Sequence, residues 1–504
     1  MHKSSDIFIK NKPYKIPDNI ITEQQYREIM DAFAAYPTFS EANEEYLQRL
    51  DNFTEQAKDM ICHCPDTVTQ AGDVYYVANC GDDNADGKSP ETAWATYDKL
   101  NSFEFKSGDT VLFNRGDIWR GMLEAKNGVT YSAYGTGPKP KLLAAYDGLG
   151  FADWVKTEHE NIWMFDTVLE DMDIPTIVFN GEKAAKKKLK FEDLKENYDF
   201  FYCSDFAWVR PENCEQQPNN RLYLYLDKGN PADLFDDIEV NMCAHVINSV
   251  RGSHDITYNN LELLYGNSPI WTEDSKNIKI SYCVMGWCGG RLWTKAKEGN
   301  NTRLGGGVCT WHGCENISFD HCYFYQQFDS GVTPQYHWKG EQSAQFINYR
   351  ATDCIFETTK WTFEWFNTQQ TKDDNCFKNI YFGYNICRTG GYGYGDRNNE
   401  SAYVKSWGHE NVCYNFEISH NIFDRAFATS IEIISHAPGK RGKNVSYEHL
   451  PKLNSNVYIE PKNKEFANIN HIFYKFNQAS HITLEKLGVE TGAVYVFCEK
   501  KEEK

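Results

Sequence analysis

Four acidic residues stand at similar distances from a recurring position. Asp329, Glu364, Asp396 and Glu432 follow Cys322, Cys354, Asn385 and Asn421 by seven to eleven residues. An acid at a steady offset in a repeating fold lands on or near one strand layer, so carboxylates far apart in sequence gather on one face. Neighbouring turns of stacked strands lie about 4.8 Å apart. Glu364 and Glu432, two turns apart, would stand roughly 10 Å from each other, room for a water between two carboxyls. Asp329 and Glu364 fall on successive turns, offset by three residues along the strand.

Two carboxyls in different surroundings can divide the work of cleaving a glycosidic bond. One protonates the leaving oxygen while the other attacks or activates water. Glu364 lies between Phe363 and Trp365, and Asp329 between Phe328 and Gly331. An apolar setting raises a carboxyl pKa, which suits Glu364 as the acid and leaves Asp329 as nucleophile or base. A lone Asp after a strand is ordinarily a turn former. Here acids coincide with amides (Gln335, Asn367, Asn398) and with aromatics at the loop exits (Trp293, Trp311, Trp338, Trp365, Tyr392, Tyr394). Indole and phenol faces pack on pyranose rings, although large aromatics also fill cores. His312, His337, Asp396, Arg397 and Glu432 complete the expected substrate contacts.

The residues call for no metal or cofactor. Asp82-Asp-Asn84-Ala-Asp86-Gly87 starts like a calcium loop, but its twelfth position is Ala93, so a turn is expected. Cys62-His-Cys64 and the pair Cys309 and Cys314 lack zinc-site spacing. With 16 cysteines and no secretion signal, reduced and buried thiols are expected. Lys186-Lys-Lys188 reads as a solvated face.

These side chains must be held by elements. From Thr22 to about Cys62 apolar residues recur at helical spacing, broken by Pro37, which predicts two amphipathic helices. They are expected to cap the open end of a solenoid. Residues 1–72 thus form a helical extension, and 73–504 a β domain with an irregular β excursion at 148–235. From Asp236 onward Asn277, Asn316, Asn348, Asn379 and Asn415 are each followed six residues later by Cys283, Cys322, Cys354, Asn385 and Asn421. The intervals are 39, 32, 31 and 36 residues. Such units bury their apolar faces by stacking, with the Cys and Asn column as an internal ladder. Loops of unequal length leave the turns at about 295–308, 336–345, 367–377 and 395–411, and would wall a cleft.

The succession Tyr75–Gly87, Thr92–Thr96, Gly108–Gly121 and Val129–Gly135 resembles the opening turns of right-handed parallel β-helix proteins, the pectate-lyase-like group of lyases and glycoside hydrolases. Phe328–Gln335, Phe363–Trp365 and Gly391–Arg397 resemble motifs of bacterial β-helix glycoside hydrolases. The resemblance implies an all-β, right-handed parallel β-helix and a glycosidase of oligosaccharides. The Asn-Thr-Asp, Asp-Asp and Gly-His-Gly motifs of polygalacturonase-like hydrolases do not occur, which argues against pectin hydrolysis of that type. A lyase or uronate epimerase is the alternative, with Lys295, Arg303, Lys360 or Arg397 as base or uronate partner. A non-catalytic glycan-binding β-helix is a third reading.

The formal net charge of −19 argues against nucleic acid or an anionic membrane as partner. An oligosaccharide or polysaccharide remains; oligomeric state is left open. The N-terminus carries no apolar run of signal-peptide length, which predicts a cytoplasmic chain, with a secreted form trimmed of its signal as the alternative.

Overall fold

The computed structural model describes residues 15–65, 71–204, 220–293, 302–336, 344–367, 376–409, 412–436 and 443–499. The chain is mostly β with few helices. A 14-stranded and a 19-stranded sheet dominate. The larger sheet is two stacks side by side, joined where strands Ile270–Ser281 and Val308–Asp320 run through both. One turn passes through Ser330–Tyr336, Gln345–Thr352 and Ile355–Glu357. The next repeats it with Trp361–Asn367, Cys376–Gly383 and Ile386–Arg388, each parallel to its predecessor.

The corners explain the repeat. Asn277, Asn316, Asn348, Asn379 and Asn415 all have positive φ, between 49° and 58°. Asn tolerates this left-handed backbone better than most residues. Each amide also donates to the Asn one turn earlier at 2.8–3.0 Å, and Asn277 donates to Asp255. This ladder is solvent-exposed. The internal one is the second column. Cys322 N donates to Cys354 Sγ, Cys354 N to Asn385 Oδ1, and the Asn385 and Asn421 amides continue to Asn456, all fully buried. Buried polar groups persist only when paired, and stacking pairs them. No disulfide occurs among the described cysteines, and most of them are buried.

Helices α1 (Glu23–Ala34) and α2 (Glu44–Cys62) start at Thr22 and Asn43, whose side chains cap them. They lie along the outer face of the 14-stranded sheet rather than across an open end. Tyr26, Phe33, Leu50, Phe53 and Ile61 pack on a column of Ile355, Ile386, Ile422, Val457 and Val494. The sheet is apolar on both faces, so it must be covered twice. Arg388 pins α2 by reaching Asp51, Thr54 and the buried Asp424. Between the helices Ser40–Glu41 pairs with the last strand, Val494–Cys498, and so covers that edge.

Residues 148–235 contribute a separate five-stranded sheet with its own apolar clusters. Lys187 is not on a solvated face. It is buried against Asp173 and donates to Ile174 O at 2.7 Å, while Asp173 also accepts from Leu292 N at 2.8 Å. That contact ties the excursion to the hairpin Arg291–Leu292 and Arg303–Leu304. The Asp82–Gly87 stretch is a turn closed on its own backbone and on Thr92 and Thr96.

Candidate active site

Strand alternation decides which side chains reach the site. In Trp361–Asn367, Phe363 and Trp365 turn into the core, so Glu364 and Phe366 face outward. Pairing then assembles an outward column: Trp271 beside Cys309, Cys309 beside Thr333, and Glu364 beside Lys405, which is beside Glu432. Val332 pairs with Phe363, which sets Glu364 next to Thr333, four residues beyond Asp329 rather than three. A second column holds Trp311, Gln335 and Phe366.

This outward face is roofed, which is why its acids are buried. The paired strands Arg291–Leu292 and Arg303–Leu304 line one side, and Arg397 of the Gly390–Ser401 insertion also reaches the cleft. Arg303 ties the two through Gly290 O, Pro175 O and Asp396, the last at 3.1 Å. A cleft of about 450 Å³ remains, with Asp329 and Glu364 in its lining together with Gln335, Trp311, Trp361, Trp407, Arg291 and Arg397.

Glu364 is 2% exposed and held on both oxygens. Oε2 accepts from Ser330 Oγ at 2.5 Å, Gln335 Nε2 at 2.8 Å and Thr333 Oγ1 at 3.3 Å, and Oε1 from Trp407 Nε1 at 2.5 Å. Burial and the neighbouring Asp329 charge push its pKa to about 7, against the pull of Ser330, Trp407 and Lys360. Burial also raises Asp329, opposed by Lys360, whose Nζ lies 2.9 Å from Oδ1 in an ion pair poorly angled for a hydrogen bond. The Asp329 carbonyl accepts from the amides of Lys360 and Trp361, which locks it to the next turn. Lys360 favours the charged form of Asp329, while burial and the Asp329 charge favour the protonated form of Glu364. The Ser330 and Thr333 hydroxyls can reverse to accept that proton.

The indoles form a wall. Trp271 and Trp311 stack at 5.5 Å, Trp311 and Trp293 at 6.3 Å, and Trp361 meets Trp407 edge-on at 5.1 Å. Lys405, 3% exposed, lies 4.3 Å over Trp407 and 2.7 Å from Glu432.

The sequence-derived residues separate on this geometry. Asp329, Glu364, Gln335, Trp311 and Arg397 meet in the cleft. Trp365 is fully buried against Phe363 and Phe416, so it is a core residue. Tyr394 donates to Cys288 O at 2.8 Å and packs on Trp287 and Phe328, bracing the insertion from behind. His312 sits 3.7 Å from Glu273 and edge-on to Tyr336, outside the cleft lining. Asp396 is not in the acid layer. It belongs to the insertion and pairs with Arg303, and the layer position between Glu364 and Glu432 is Lys405. Glu432 is in register but spent on Lys405. His337, Trp338 and Lys295 lie outside the described residues. Sequence reasoning missed Ser330, Thr333, Trp271, Arg291, Lys405 and Trp407. The alternation Lys405-Ser-Trp407 was the available signal for the last two.

The solved structures that this chain is similar to include glycoside hydrolases, a rhamnogalacturonan lyase and a surface adhesin of Streptococcus pneumoniae. They include XylC in complex with xylose (12% identity, 84% of this chain and 82% of that one, TM-score 0.39). The GH136 lacto-N-biosidase of Eubacterium ramulus is another (15% identity, 98% and 82%, TM-score 0.38). The polygalacturonase of Erwinia carotovora ssp. carotovora is a third (10% identity, 86% and 99%, TM-score 0.31). No family model and no curated protein sequence matches the chain. Function therefore has to come from the side chains of the cleft.

Proposed function

We propose that the chain is a glycoside hydrolase built on a right-handed parallel β-helix, with Glu364 as general acid and Asp329 as nucleophile or base. The carrying observation is one pair of buried carboxyls with divided environments. Glu364 is raised to about 7 in a mesh of neutral donors, and Asp329 stands against Lys360, in a cleft walled by indoles. A carboxyl near pH 7 still holds a proton to give to a leaving oxygen, while an ionised partner supplies the electron pair or activates water. Buried charge and stacked aromatics suit an oligosaccharide of a few units.

The lyase alternative is less well supplied. Of the basic residues named for that reading, Arg303 is engaged with Gly290, Pro175 and Asp396, Lys360 with Asp329, and Arg397 with Glu400. The test is a screen of chromogenic glycosides and oligosaccharides that follows both new reducing ends and the ultraviolet absorbance of unsaturated uronates. Reducing ends without that absorbance, lost by about 10²–10⁴-fold in Asp329→Asn and Glu364→Gln, are expected. Unsaturated products that survive in both variants would move the site to the basic residues.

A further inference from the structure

In a chain of net charge −19, one wall of this cleft presents a cation with no acid paired to it among the described residues. Arg291 is half-buried and lines the cleft, its guanidinium carbon 4.8 Å from the centre of the Trp293 ring. Among the described residues no carboxylate pairs with it. The contrast with the neighbouring cations is sharp: Arg303 has Asp396, Lys360 has Asp329, Lys405 has Glu432, and Arg397 has Glu400 at 3.5 Å. Trp293 stacks in turn on Trp311, whose Nε1 is buried with no acceptor among the described residues. Among the described residues, two donors on one indole stack therefore have no acceptor. A buried unsatisfied donor costs on the order of 1–3 kcal/mol, so a ligand that satisfies it is favoured.

We propose that this wall is an acid-recognising subsite, and that the substrate carries a carboxylate on the sugar seated against Trp293, as a uronic acid residue does. The proposal rests on the hydrolase reading for its reaction and on Arg291 and Trp311 for its specificity. A guanidinium presents paired N–H donors in the plane that a carboxylate matches, and its ring stacking holds that plane still. The surrounding acidity does not oppose this at short range. Charges beyond about 8 Å are screened at physiological salt, whereas Arg291 acts at contact.

Matched 4-nitrophenyl glycosides that differ only in a C6 carboxylate test it, glucuronide against glucoside and galacturonide against galactoside. Alongside them, calorimetry follows free glucuronate, galacturonate, glucose and galactose binding to the Glu364→Gln variant. A preference of about 100-fold in kcat/KM for one uronide over its neutral partner is expected, removed by Arg291→Gln and partly kept by Arg291→Lys. A melting temperature in Arg291→Gln equal to that of the parent protein reports that the variant is still folded. Hydrolysis of neutral glycosides alone, with no uronate binding, would overturn the subsite and leave the hydrolase standing. Uronate binding that depends on Arg291, without hydrolysis or with unsaturated products, would keep the subsite and overturn the hydrolase. Uronate binding unchanged in Arg291→Gln would also overturn the subsite.

Discussion

Glu364 sets the pH behaviour of the proposed reaction. Its acid form is the working one and its pKa lies at about 7, so kcat/KM is expected to fall as pH rises through 7. The acid limb belongs to Asp329, raised above an ordinary aspartate by burial. Replacing Trp407 tests the assignment while leaving both carboxyls in the chain. Its Nε1 donates to the ionised form of Glu364 and so holds the pKa down. Trp407→Phe is expected to shift the alkaline limb upward by about half a unit to one unit, read from the pH profile of kcat/KM. A profile unchanged in this variant would mean that the limb reports another group. Asp329 and Glu364 were legible in the sequence because apolar neighbours flank them at similar offsets. Lys405 was not, since nothing local shows that it pairs across to Glu364 and displaces Asp396 from the layer.

At the scale of elements, two Asn columns do different work. Asn421 is fully buried, donates to Phe382 O and Asn456, and accepts from Asn385. Asn421→Ala strands several buried groups and is expected to cost about 2–4 kcal/mol in denaturant unfolding. Asn379 on the exposed ladder has φ 55° and two neighbours in water. Asn379→Gly keeps that backbone freely and should cost under about 1 kcal/mol. The periodic Asn and Cys announced both columns, because a repeat of side chain is a repeat of backbone corner. The helices were legible as helices but not in their place. An amphipathic stripe states that a face must be buried and leaves open against what. Deleting 1–64 would bare the Ile355, Ile386 and Ile422 column, and the truncated chain is expected to aggregate in light scattering while the full chain does not.

For the whole molecule, several buried acids act together. Burial raises Asp171 and Asp353 to about 6, Glu239 to about 7 and Glu490 to about 8, with Glu364 among them. A carboxyl whose folded pKa exceeds its unfolded value near 4 binds its proton more tightly in the fold. Its contribution is fully present below the unfolded value and is lost as pH rises through the folded one. Melting temperature is therefore expected to decline from pH 5 to pH 9. Glu490→Gln, at the Tyr458 and Asn456 contact, should flatten the last part of that decline in calorimetry. A melting temperature that stays level or rises over this range would show that these raised acids are not held protonated in the fold, because the lowered acids, Asp320, Glu357 and Asp424, change stability only below about pH 5.

By itself the sequence determined the stacked strands, the corners and the two ladders, since alternation, turn residues and repeats are local properties that each turn states again. It also singled out Asp329, Glu364 and Gln335, whose neighbours advertise an apolar setting. Only the tertiary structure decided which aromatics face the cleft, that Trp365 is core and Tyr394 a brace, and that Arg291 lies over Trp293 with no acid paired to it among the described residues. The reason is register. One residue of slip in a strand exchanges inside for outside, and register is fixed by pairing between turns 30 or more residues apart.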